Sequence, residues 1–334
     1  MTDIMDQLLN HPLGRGVLLG GVLVGLMMGV GAFSTYLERK FAGRIQNRLG
    51  PTIVGPFGLF QVIADGIKML RKEIIIPRAA DPVLFLLAPI VAVTLTLASA
   101  AVIPFAEGME PVVTSVGLLW LLAFSGLLVF PVWWAGWASN NKYALFGSMR
   151  AVAQGVSYEI PLVMAALVPV ILAGSLDFGA IVAAQKGGAW FIWSNPVGAI
   201  AFIIFFLASL AEANRIPFDI PEAESELIAG PSVEYTGILW GMFPLAEYIH
   251  TFIASAVASL MFFGGWLGPG PDGLHWMALK TGALYLAVYW LRWSLVRFRS
   301  DQLMRFCWHW LVPISLALIV IATLWVHAGF GGSA

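Results

Sequence analysis

Cysteine is all but missing from this chain of 334 residues: Cys307 stands alone. One cysteine makes no intrachain disulfide and cannot hold an iron–sulfur centre. Charge is scarce too, at 11% Asp, Glu, Lys and Arg against about 25% in an average soluble domain. No GxxxxGK, HExxH or GxSxG run is present, so the P-loop, zinc-protease and hydrolase readings find no foothold. Low-complexity linkers and internal repeats are absent as well, which leaves one domain over residues 1–334.

What is abundant is apolar length. Hydrophobic residues make up 59% of the chain and the mean hydropathy is +0.85. Apolar runs lie near 16–37, 83–103, 116–138, 152–173, 190–210, 237–263, 278–296 and 310–327. A membrane span needs roughly 20 such residues. The expectation is an all-α polytopic membrane protein with about eight transmembrane helices. The connections after the first, third, fifth and seventh runs, counting Arg292 at the end of the seventh, hold 8, 2, 1 and 4 Lys or Arg, fifteen of the eighteen. Positive-inside bias puts those connections in the cytoplasm and both termini on the other side. Asp3 and Asp6 stand where a secretory signal carries basic residues, so the first run is expected to be a retained helix.

The cytoplasmic connections are patterned. Residues 38–82 open with ERKFAGRIQNRLGP, which sets Arg39, Lys40, Arg44 and Arg48 at the headgroup level. Lipid-phosphate contact is the plain reading of Lys40 and Arg44. Farther on, Gln61, Asp65, Lys68 and Lys72 recur four, three and four apart, while Phe60, Ile63, Ile67 and Leu70 line another face. That pattern predicts an amphipathic helix lying in the interface. Asp65 and Lys68 fit a surface ion pair or a polar pocket, and spacing alone does not choose.

Acids inside apolar runs carry more information. Glu159 lies about 13 Å along a helix from Arg150, at 1.5 Å per residue. Pro161 frees the Ser157 carbonyl, predicting a polar spot that holds water. Glu247 sits within the sixth run near Pro244, Tyr248, His250 and Thr251. His250 is one turn from Glu247; it shares a proton with that acid or packs as a core histidine, the plainer alternative. Between the fifth and sixth runs lies AEANRIPFDIPEAESELIAGPSVEY, with Glu212, Asp219, Glu222, Glu224, Glu226 and Glu234 against one base, Arg215. Prolines 217, 221 and 231 rule out one straight helix through this acidic loop, 211–236. Crowded carboxylates raise one another's pKa, which suits groups that take and release protons near neutrality. Acids at membrane depth mark ion or proton paths more often than structure. Asp301 is expected to pair with an arginine of RFRSDQLMRF.

Taken in order, ERKFAGRIQNRLGPTIVGPFGLFQVIADGIKMLRKE, GWASNNKYALFGSMRAVAQGVSYE, EANRIPFDIPEAESELIAGPSVEY, AEYIH and RFRSDQLMRF resemble the quinone-site membrane subunit of respiratory complex I, over nearly the whole length. The resemblance implies a multi-pass subunit of the bacterial inner membrane with its working loops in the cytoplasm. It implies a quinone chamber completed by peripheral-arm subunits, one bearing the terminal iron–sulfur cluster, and contact with small and antiporter-like membrane subunits. Quinone is then the substrate, flavin and iron–sulfur clusters sit only on partners, and this chain carries no covalent cofactor and binds no nucleic acid. Arg39, Arg48, Asp65 and Lys68 fall to the chamber, with Glu38 at its membrane mouth. Glu159, Glu212, Asp219, Glu222, Glu224, Glu234 and Glu247 fall to an acidic coupling path that Arg215 holds together. Pro231 stands where members commonly carry an aromatic, and Pro244 near a position where some place one facing quinone, which puts the local loop shape and the quinone fit in question.

Two other readings compete. A homologous coupling subunit of a membrane-bound hydrogenase, a formate hydrogenlyase or a ferredoxin-dependent photosynthetic complex would relay ions with a different electron donor. Arg39, Arg48 and Asp65 in a quinone-type first loop favour the quinone reading over the hydrogenase one. A secondary transporter would lead one to expect inverted repeats, and none is evident.

Overall fold

Hydrocarbon offers no partner for a free N–H or C=O, so an apolar run that enters it must close its hydrogen bonds internally, as a helix. The computed structural model describes residues 12–221 and 227–328, with side chains from residue 20 onward. Among the described residues the regular elements are all helical. They are α1 (Pro12–Ile45), α2 (Gln61–Arg71), α3 (Pro82–Ala100), α4 (Gly117–Gly126), α5 (Val129–Ala138), α6 (Lys142–Ala173), α7 (Phe178–Ala183), α8 (Phe191–Ser194), α9 (Gly198–Glu212), α10 (Gly237–Phe262), α11 (Leu274–Ser294), α12 (Ser300–Phe306) and α13 (Val312–His327).

Among the described residues six helices are long and apolar enough to cross a membrane, and a bent pair makes up to seven. The six are the Gly20–Ile45 part of α1, α3, α4 with α5, α6, α10, and α12 continuing into α13. The bent pair, Lys186–Ser194 with Gly198–Glu212, turns through 71° where the hydropathy predicts a single span at 190–210. The run at 278–296 forms α11, whose 21 residues include Lys280 and Arg292. Lys280 is buried, and its Nζ donates to the carbonyls of Phe263, Gly265 and Leu267.

Local chemistry sets several helix ends. Asp81 accepts from the Val83 and Leu84 amides at 3.0 and 3.3 Å, with Pro82 at the first helical position of α3. Asn141 caps α6 by accepting from the Tyr143 amide at 2.9 Å. The helix therefore begins at Lys142, ahead of Arg150, and its 32 residues extend about 48 Å. Gly174 ends it at φ 70°, a left-handed cap that costs glycine little.

The expected third span is interrupted at Leu127–Leu128, between α4 and α5. Pro131, four residues on, has no N–H to offer the Leu127 carbonyl, which accepts from the Phe130 amide at 3.1 Å instead. This break lies alongside α6 near Glu159. The Ser157 carbonyl beside Pro161 accepts from Cys307 Sγ at 3.0 Å, so a side chain takes the place expected for water. Cys307 opens a π-helical turn, Cys307–Leu311, within the last span.

α10 is the central helix. Of its apolar window 72% is buried inside the protein, against 22% for the N-terminal span. It packs on α1, α3, α9 and α11. Glu247, Tyr248 and His250 therefore point among helices rather than into lipid.

Candidate functional site

Two ion-paired groups and one cavity hold Glu38, Asp65, Glu159, Glu212 and Glu247. The first group lies on the connection after α1. Arg39 Nη1 reaches Asp65 Oδ2 at 2.5 Å, Gln61 donates to Asp65 Oδ1 at 3.1 Å, and Lys68 Nζ stands 3.5 Å away. Burial pushes the Asp65 carboxyl up, but Arg39, Gln61 and Lys68 together hold it below the usual carboxylate value. The surface pair with Lys68 is thus the minor contact. Arg48 turns away and donates to Gln46 at 2.7 Å. Ile63, Ile67 and Leu70 of α2 stay exposed on its other side.

Glu38 does not join this group. It is buried, with Arg292 at 2.9 Å and the Tyr248 hydroxyl donating at 2.6 Å. Tyr285 donates from its hydroxyl to Ser34 at 2.7 Å and lies 3.2 Å from the Tyr248 carbonyl. Three helices, α1, α10 and α11, therefore meet in one polar cluster. The Arg215 guanidinium stacks on the Tyr248 ring at 4.3 Å. Arg215 is 4% exposed and its Nη2 is 3.7 Å from Glu247 Oε2. Burial is the largest influence and works against its charge, but Glu247, Tyr248, Glu38 and Tyr285 together outweigh it, so Arg215 stays protonated.

The cavity begins at Glu247. Its volume is about 70 Å³ and its wall includes Thr96, Ser125, Glu159, Glu212, Asn214, Glu247 and His250. That space is large enough for several waters, and its wall carries polar groups to bind them. A second cavity of about 30 Å³ shares Val132, Asn214, Phe243 and Glu247 with the first and reaches Pro221 and Pro231 of the acidic loop. Gly126, at the helix break, matters here because a Cβ there would run into the Glu159 carboxyl. His250 Nε2 lies 3.5 Å from Glu212 Oε2, a neighbour that spacing along α10 does not show.

The acidic loop is pinned at both ends. Gln154 on α6 donates to the Ala211 and Phe218 carbonyls, each at 2.7 Å, and lies 3.3 Å from Asn214 Oδ1. Asp219 takes Arg297 at 3.2 Å, and Phe218 stacks on Phe298. Burial pushes the Asp219 carboxyl up, and Arg297, Arg292 and Arg215 return only part of that shift. Glu234 accepts from Asn141 at 2.6 Å, outside the cavity wall. Glu222, Glu224 and Glu226 lie outside the described residues. Asp301 meets Arg299 at 3.9 Å in an exposed pair, a contact worth little.

Glu38, which the resemblance puts at the membrane mouth, meets Arg292 and Tyr248, and Arg48 meets Gln46 rather than Asp65. Sequence reasoning gives no site to Arg292, Tyr285, Ser34 or Gln154. Their partners are distant in the chain, and no local spacing signals them.

Comparison with known proteins covers nearly all of the chain. The family model for NADH dehydrogenase matches residues 18–323. The H subunit of NADH-quinone oxidoreductase from Geobacillus kaustophilus, a curated protein, is 48% identical over 312 residues, 92% of each chain. The same-named protein of Geobacillus thermodenitrificans is 47% identical over 92% of each chain. That of Anoxybacillus flavithermus is 46% identical over 332 residues, 96% of this chain and 98% of its own.

Proposed function

This chain belongs to the NADH dehydrogenase family, among the NADH-quinone oxidoreductase membrane subunits it matches, and we propose that it couples quinone reduction to proton movement without carrying electrons itself. It is a multi-pass membrane subunit and works with the other subunits of complex I.

In this reading α11 is the eighth span, the bent pair is one crossing, and the membrane is the bacterial inner one. The exposed apolar side of α2 lies in the cytoplasmic interface. Arg39, Arg48, Asp65 and Lys68 border a chamber closed by peripheral-arm subunits, one of which delivers electrons from its terminal iron–sulfur cluster. Glu38 stands at the membrane mouth. Flavin and all clusters belong to partners, and small and antiporter-like subunits receive the protonic signal.

One observation carries the proposal: Glu159, Glu212 and Glu247 face a single cavity, and Arg215 with Tyr248 ties Glu247 to Glu38. A charge change at Glu38 alters the field at Arg215, and through it the proton affinity of Glu247. Low-dielectric surroundings make such a field strong over a few ångströms. Asp219 with Arg297 and Glu234 with Asn141 hold the acidic loop over the smaller cavity. Glu222 and Glu224 are assigned to the same acidic path from the sequence alone.

The chamber half is tested by Asp65→Asn in assembled complex. The amide keeps the shape of the side chain and loses the charge that holds Arg39. Quinone reductase activity is expected to fall about tenfold or more, an order set by charge-assisted pairing worth roughly 1.5–3 kcal/mol. NADH oxidation with an artificial acceptor on the peripheral arm should be unchanged. Unaltered quinone turnover would reduce Asp65 to a surface ion pair.

A further inference from the structure

His250 stands out because its surroundings are not those of a packed histidine. It is 5% exposed, yet neither ring nitrogen has a hydrogen-bond partner among the described protein groups. A buried imidazole held for structure spends its N–H on a carbonyl or carboxylate and packs its other edge. Here the ring lines the 70 Å³ cavity, with Nε2 3.5 Å from Glu212 Oε2. That is just beyond direct transfer and within easy reach after a small side-chain movement or through one water. Imidazole can also accept a proton at one ring nitrogen and release it from the other.

The groups around it can be named element by element. α9 brings Glu212, α6 brings Glu159, and His250's own helix brings Glu247. The connection after α9 brings Asn214 and, against Glu247, Arg215. α3 and α4 contribute Thr96 and Ser125, which do not titrate in the working range. α1 and α11 bring Glu38 and Tyr285 to Tyr248, two residues earlier on α10.

We propose that His250 is a proton carrier of this cavity, exchanging a proton with Glu212 and passing it through cavity water to Glu159 or Glu247. The inference deepens the coupling function proposed above and rests on it. The step is balanced: an imidazolium N–H bond at Nε2 breaks and a carboxyl O–H bond on Glu212 forms. One positive and one negative charge disappear together, and the total charge of the cavity is unchanged. Charge-neutral transfer of this kind avoids stranding a lone ion at membrane depth.

The experiment uses the intact complex in proteoliposomes. His250→Asn keeps a polar group near the position of the ring and cannot carry a proton. Expected is normal assembly, normal NADH oxidation with an artificial acceptor, and quinone turnover lowered at least about tenfold, the lower edge of what a positioned acid–base group contributes. The pH profile of turnover should also change shape, because a proton-carrying group has left the cavity. A merely structural role would not move that profile. If His250→Asn does not assemble, His250→Gln, with its amide nitrogen near the place of Nε2, gives the same readout. Wild-type turnover, or a fall uniform across pH with the profile intact, would overturn the proposal. Failure of the broader reading is separable: Glu159→Gln and Glu247→Gln in the same vesicles report on the cavity whatever His250 does.

Discussion

Arg215→Met is expected to abolish most quinone turnover, with Arg215→Lys intermediate. Arg215 is the buried cation of the site, stacked on Tyr248 at 4.3 Å and 3.7 Å from Glu247. Removing one partner of a buried ion pair costs about 3–5 kcal/mol when the other stays charged. Glu247 is partly exposed to its cavity, with 25% of its side chain accessible, so the lower part of that range applies here. The system has a cheaper response, which is to protonate Glu247 and keep it so. A carboxyl locked neutral no longer takes part in a cycle. Lysine restores the charge without the flat guanidinium that stacks on the tyrosine ring. The measurement is quinone reduction per assembled complex at several pH values. Met should lower it at least about tenfold, given that a 1.4 kcal/mol loss alone is tenfold, and Lys should recover part. If Met and Lys variants both match the wild type, the link from Glu38 through Arg215 to Glu247 does not operate.

Much of this architecture is legible in the residues, and what is not has physical causes. The apolar runs give helices because lipid leaves the backbone no other choice. The acids within α6 and α10 announce a polar interior because isolated charges do not persist in hydrocarbon. The meeting of Glu159, Glu212 and Glu247 at one cavity agrees with grouping them from the sequence, while what each acid does stays a proposal. Pairings are another matter. Glu38 and Arg292 are 254 positions apart, and Tyr285 meets Ser34 across 251. Nothing local encodes such contacts, so the sequence pattern does not show Arg292 or Tyr248 beside Glu38. Breaks in helices are hidden too. The 71° bend before α9 and the interruption between α4 and α5 lie in runs whose hydropathy is continuous. Gly126 and Pro131 are faint signs of the second. Gly126 becomes meaningful only once the Glu159 carboxyl is seen where a Cβ would sit. Pro161 does free the Ser157 carbonyl, but Cys307, 150 positions away, fills it.

The second large effect is expected at Glu159 and Glu247, whose carboxyls face the shared cavity from α6 and α10. Glutamine matches glutamate closely in volume and keeps hydrogen bonds to neighbouring polar groups, so packing on α5 and α9 is preserved. It cannot bind and release a proton. In a tightly coupled machine an unfilled proton step halts the steps before it, so quinone reduction stalls along with pumping. Asp65→Asn is expected to act differently, disturbing quinone handling at the cytoplasmic loop rather than proton movement within the membrane. The cavity itself needs to survive in the variants, and assembled complex with normal NADH oxidation by an artificial acceptor certifies that. The decisive measurement is simultaneous quinone reduction and proton uptake in proteoliposomes, per assembled complex, for Glu159→Gln and Glu247→Gln. The account predicts that both rates fall together by at least about tenfold, the minimum for losing an obligatory acid–base group; wild-type pumping in both variants would contradict it.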